Sequence, residues 1–116
     1  MIGRYPFEFL PRPGDVAEQK MRNYLLNVSH RDGGPKARCF LARGFSDADW
    51  QEFARVSGLH PVENPVLESE LTGYGWKVVV RCTLRTPHGR NPCVRTVWMV
   101  EDAEAPRLIT AYPSPG

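Results

Sequence analysis

No stretch of this chain is apolar for the roughly 20 residues that a bilayer-spanning helix needs. The first residues, MIGRYPFEFLPRPG, hold neither an apolar segment nor a small-residue cleavage site of the secretory kind. These two absences give the expectation of a cytoplasmic protein with no membrane partner. Cysteine is scarce and odd in number: Cys39, Cys82 and Cys93 stand far apart. That is a poor disulfide framework, and reduced thiols are expected. There is no Cys-x-x-Cys pair, and His30, His60 and His88 are too widely spaced to suggest a zinc site. No Gly-rich phosphate loop or dinucleotide fingerprint occurs, so neither metal nor cofactor is expected. No repeat of the solenoid kind is visible.

Acidic residues are missing from one long stretch. Between Leu71 and Val100 there are five basic residues, Lys77, Arg81, Arg85, Arg90 and Arg95, and no acid. Between Ser46 and Glu70 the balance reverses, with six acids against Arg55. The net charge of +2 hides this polarity. A basic sheet beside an acidic helix favours an anionic ligand on one side.

What is present reads as one domain of 116 residues, long enough for one modest core. Residues 1–14, with three prolines, form an irregular arm, and 15–116 a single α+β domain. The run VAEQKMRNYLLN places Met21, Tyr24, Leu25 and Leu26 on one helical face. A second helix is expected from Pro35, a residue suited to the first helical position, to a left-handed cap at Gly44. Ala37, Phe40 and Leu41 are its expected buried face. Ser46 is the expected cap of a third helix, with Trp50, Phe53, Ala54 and Ser57 buried and Gly58 and Pro61 ending it. The second half alternates. VLESEL reads as a short edge strand, WKVVVRCTLRT, CVRTVWMV and RLITAY as further strands. The fold class is therefore α+β, with N-terminal helices packed on one face of a three- to five-stranded antiparallel sheet.

Val78, Val80, Cys82 and Leu84 share the apolar face of their strand; Lys77, Arg81, Thr83 and Arg85 share the other. An odd number of residues in the loop after them places Arg95 with Arg81 and Thr83; an even number places Thr96 there. The odd loop is favoured because it puts Arg95 among polar side chains.

The candidate site follows from residue chemistry. His30 lies in a loop after a helix, and Lys36 at the start of the next, where free N–H groups attract anions. Arg81 and Arg95 lie on adjacent strands, and Thr110 and Tyr112 on one face of the last. Metal-free RNA cleavage needs a base for the 2′-hydroxyl, an acid for the leaving oxygen, and cations to stabilise the phosphorane. Histidine titrates in the range such proton transfers require.

The spaced pattern LLN (25–27), His30, KA (36–37), GF (44–45), YG (74–75), GR (89–90), VRTVW (94–98) and PRLITAYP (106–113) resembles a bacterial family, the domain of unknown function six-eight-eight-three. The resemblance runs from about Leu10 to Pro113, and its C-terminal motifs are the most specific. Members of this kind look like toxin modules, and their layout is similar to the barnase–EndoU–colicin–RelE class of metal-independent ribonucleases. The resemblance implies functional positions at His30, Lys36, Arg95, Thr110 and Tyr112. Arg81, Thr83 and Lys77 are expected to bind substrate. The implied partners are RNA and a cognate antitoxin or immunity protein, acidic by complementarity to the basic face. The oligomeric state stays open. The alternatives are a non-catalytic binding module, with Tyr74, Trp76 and Trp98 stacking on bases, and a phage or secretion accessory protein.

Overall fold

The strand-forming half builds an antiparallel meander, because each β-branched run is followed by a turn cluster short enough to bring the chain straight back. The computed structural model describes residues 5–10, 12–20, 34–46, 48–87, 92–101 and 105–113. Four strands, β1 (Val66–Thr72), β2 (Gly75–Thr83), β3 (Cys93–Val100) and β4 (Arg107–Pro113), lie side by side in chain order. All three neighbouring pairs are antiparallel. The described helical segments are α1 (Glu18–Lys20), α2 (Gly34–Ala42) and α3 (Trp50–Glu63). The class is α+β, but the longest helix sits mid-chain rather than at the N-terminus. Of the first expected helix, Glu18–Lys20 is helical, and Met21, Tyr24, Leu25 and Leu26 lie outside the described residues. No described helix is long and apolar enough to cross a membrane.

The core lies on the face of the sheet covered by α2 and α3. Val78 and Val80 of β2, Val94, Thr96 and Trp98 of β3, and Leu108 and Ala111 of β4 are buried there. Phe40 and Phe45 both meet Phe53, at ring-centroid distances of 4.7 and 4.6 Å. Ala37 and Phe40 are the buried positions of α2 as its spacing predicts, and Gly44 takes the left-handed conformation (φ 99°) expected after its end. The arm belongs to this core as well: Tyr5 and Leu10 are buried in it.

Helix α3 departs from the expectation at both ends. It starts at Trp50, four residues after Ser46; the Ser46 hydroxyl accepts the Asp49 N–H at 3.1 Å, in the turn that precedes the helix. It then runs through Gly58 and Pro61 to Glu63. Gly58 is there for close approach. Its carbonyl accepts the Gly14 N–H at 3.0 Å, and a Cβ on it would sit 2.7 Å from the Gly14 carbonyl oxygen. Pro61 falls in the last turn, where its missing N–H costs one bond at most, and its carbonyl accepts the Leu10 N–H at 3.2 Å. Asn64 closes the helix by donating its backbone N–H and its side-chain amide to the His60 carbonyl, each at 3.0 Å. Both residues that read as terminators are thus docking points for the arm.

The cysteines also differ from expectation. Cys82 and Cys93 are joined by a disulfide, with Cα atoms 4.1 Å apart. The end of the β2–β3 hairpin brings them together, since Cys82 lies opposite Val94 and Cys93 opposite Thr83. An odd count only guarantees one unpaired thiol; it does not forbid one bridge. The bridge overturns the expectation of reduced thiols at these two positions.

Candidate functional site

Alternation along β2, β3 and β4 sends every second side chain away from the helices. Arg81 lies directly opposite Arg95, and Arg95 directly opposite Tyr112. Their chain neighbours Val80, Val94, Thr96 and Ala111 are buried on the helix side. The three therefore form one row on the other face, as the odd-loop choice expects: Thr83 and Cys93 are the last pair before the loop, leaving residues 84–92 between them. Thr110 falls one step along β4, opposite Val97, and Thr83 one step along β2. Thr110 keeps its place because the register shift lies beyond it, between Val97 and Trp98. Lys77 shares the face but lies opposite Met99 and Glu70, some 13 Å along the strand from Arg81 at about 3.4 Å per residue. It is too far to meet the same phosphate.

The electrostatics of the row set it apart. Like charges directly opposite each other in a sheet are destabilising. Arg85, just past β2, pairs with Glu63 at 3.1 Å, and Arg107 of β4 with Glu101 at 3.3 Å. Arg95 makes no ion pair among the described residues, and its Nε is shielded from solvent with no hydrogen-bond partner. An unsatisfied buried donor costs about 1–3 kcal/mol, more when charged. An anion on the row would offset the repulsion between the facing cations. Two guanidiniums on neighbouring strands can each present paired N–H donors to phosphate oxygens, and the Tyr112 and Thr110 hydroxyls can donate to the same group.

His60 braces the row from behind. It is 1% exposed. Its Nε2 lies 2.8 Å from the Cys82 carbonyl and its Nδ1 2.8 Å from Thr96 Oγ1. A carbonyl only accepts, so Nε2 carries the proton in the neutral ring and Nδ1 accepts from the Thr96 hydroxyl. Thr96 Oγ1 in turn accepts the Trp98 indole N–H at 2.7 Å. Desolvation by burial holds the His60 pKa below its ordinary value, against the opposing pull of the Cys82 carbonyl. Cys82 and Thr96 directly follow Arg81 and Arg95, so this ring ties the two arginine-bearing strands to α3.

Not every expected residue arrives at the row. His30 lies outside the described residues. Lys36 sits in the first turn of α2, which packs against β4, but its side chain lies outside the described set. Trp98 is fully buried and cannot stack on a base, and Trp76 packs against the core. Tyr74, 81% exposed at the β1–β2 turn, is the one of the three aromatics on the surface. Among the described residues no three His, Cys, Asp or Glu side chains converge as metal ligands. The role of His60 was hidden in the sequence, where nothing distinguishes it from His30; its signal is its place beside Pro61 in the last turn of α3, facing the sheet.

A family model described as "Domain of unknown function (DUF6883)" matches residues 14–115, and the chain belongs to this family. No curated protein sequence matches it. Among solved structures, the chain is similar to one from the "Contact-dependent growth inhibition toxin - immunity protein complex from Klebsiella pneumoniae 342". The TM-score is 0.72 at 17% identity, over 89% of this chain and 95% of that one. At that identity the likeness is one of fold.

Proposed function

We propose that this family member is a metal-independent ribonuclease and the toxin of a bacterial toxin–immunity system. The observation that carries the reading is the facing pair Arg81 and Arg95, with the Arg95 Nε buried and unpartnered. A fold shared with a chain of a growth-inhibition toxin–immunity complex supports the biological setting. In this reading Arg95 and Arg81 hold the scissile phosphate and stabilise the charge that builds on the phosphorane. Tyr112 and Thr110 orient its oxygens. His30 exchanges protons with the 2′-hydroxyl or the leaving oxygen, and Lys36 adds charge from the start of α2. Thr83 and Lys77 contact neighbouring parts of the RNA. The 2′-hydroxyl attacks phosphorus, the 5′-oxygen leaves with a proton, and a 2′,3′-cyclic phosphate remains. The cognate immunity protein would be acidic where it covers the arginine row, and the toxin would meet its RNA in the cytoplasm.

The test is incubation of the purified chain with total RNA in excess chelator, beside folded Arg95→Gln and His30→Ala variants. Wild-type cleavage should fall by two orders of magnitude or so in Arg95→Gln, as for loss of one oxyanion donor. No cleavage of tRNA, rRNA or mRNA by the folded wild type would refute the enzyme reading. A second reading, a non-catalytic RNA-binding module, is favoured by one feature: the described part of the row supplies cations and hydroxyls, and no imidazole. RNA binding that depends on Arg95, without cleavage, would select it.

A further inference from the structure

The outer edge of the sheet at β1 exposes apolar side chains where edge strands ordinarily carry charge. Leu67 is 48% exposed, Leu71 43%, and Phe7 of the neighbouring arm 57%. Leu67 stands at the register shift between Val66 and Glu68, where the extra residue turns it out of the ladder. The arm is held beside β1 at two points: the Glu8 carbonyl accepts the Val66 N–H at 2.7 Å, and the Ser69 hydroxyl accepts the Tyr5 N–H at 2.9 Å. Between arm and strand runs a groove of about 520 Å³, lined by Tyr5, Phe7, Val66 and Leu67 with Glu8 and Glu68 at its rim. A separate hollow of about 420 Å³ lies at the other end of β1, lined by Leu71, Tyr74, Trp76 and Glu101 among others. Among the described residues, Val66 is the one β1 residue whose backbone bonds to backbone outside the sheet. Beyond it no described residue pairs its backbone with the β1 edge, although the Tyr5 N–H reaches the Ser69 side chain.

We infer that this edge docks an extended segment of a protein partner in which apolar residues alternate with lysine or arginine. The extended form follows from a strand edge that no described backbone pairs with beyond Val66, and from the strand period of two, which would seat alternate side chains in the groove. The basic residues follow from charge: Glu8 and Glu68 are exposed at the groove and no cation is among its described lining, while Glu70, farther along, stands opposite Lys77. A second copy of this chain fits poorly, because joining two β1 edges would set Glu68 and Glu70 against their own counterparts. The strip is separate from the arginine row, which spans β2 to β4. It stands whether or not the chain cleaves RNA.

The probe is a short fluorescein-labelled peptide alternating valine with lysine, titrated with the full chain and followed by anisotropy. The control replaces lysine by glutamate. The lysine peptide should bind saturably and the glutamate peptide should not. Leu67→Asn should weaken binding about tenfold, and Arg95→Gln should leave it unchanged. A Glu8→Lys/Glu68→Lys variant, confirmed folded by circular dichroism, should reverse the preference and take the glutamate peptide. Equal binding of the two peptides, or no reversal in the charge-swapped variant, would overturn the inference. So would a dimer in sedimentation that Leu67→Asn dissolves, since the edge would then serve a second copy.

Discussion

At the scale of the residue, the most informative side chains are a cation with no ion-pair partner among the described residues and a histidine with two hydrogen-bond partners. Arg95 faces Arg81 and leaves its Nε without an acceptor, whereas Arg85 and Arg107 are matched by carboxylates. His60 has the opposite character: buried, bonded at both nitrogens, with its pKa lowered by desolvation. Its lowered folded-state pKa has a signed consequence. In the unfolded chain the imidazole titrates near its ordinary value of about 6.5. Below that pH the unfolded state takes up a proton that the folded state resists, so stability falls as pH drops toward the folded pKa. Urea unfolding between about pH 7 and pH 5 should show this loss, and His60→Gln should flatten that part of the profile while lowering stability overall. An equal slope in both proteins would assign the pH dependence to other groups.

At the scale of the element, the strands and α2 were legible and the limits of α3 were not. β-branched alternation marks β2 most clearly and β1, VLESELT, least, and the wish to keep Arg95 among polar residues selects the register that brings it opposite Arg81. That works because a strand's period of two leaves only two choices. Helix α3 was misread because its Gly58 and Pro61 answer to the arm, a partner more than 40 residues away in the chain. Local rules do not carry that information. Gly58→Ala should therefore destabilise the fold by about 1–3 kcal/mol, although alanine favours helices, because backbone and not a flexible side chain meets the new methyl group. Thermal melting would check it, and a gain in stability would mean that the arm does not press on α3. The Cys82–Cys93 bridge was missed for a similar reason: only the hairpin register makes the two neighbours. Thiol titration of the air-oxidised chain unfolded in denaturant should find one thiol without reductant and three after reduction, since two of the three cysteines are joined.

At the scale of the whole molecule, the two charge blocks of the sequence become two surfaces. The stretch from Leu71 to Val100 supplies the arginine row, and the glutamates before it flank the exposed leucines of the β1 edge. Helices α2 and α3, His60 and the arm residues Tyr5 and Leu10 pack into the core behind the sheet. Composition alone foretold the polarity. It could not foretell which arginines are neutralised within the fold, because that depends on where Glu63 and Glu101 come to lie. The site residues on strands were consequently readable as a row, while the exposed apolar edge depends on a bulge and on the course of the arm. The most direct measurement is a nitrogen–proton correlation spectrum of the arginine Nε–H groups during titration with uridine 3′-monophosphate. Arg95 should shift saturably, and Arg85, already engaged by Glu63, should stay in place. An Arg95 signal unmoved at saturating nucleotide would contradict the assignment of the row as the phosphate site.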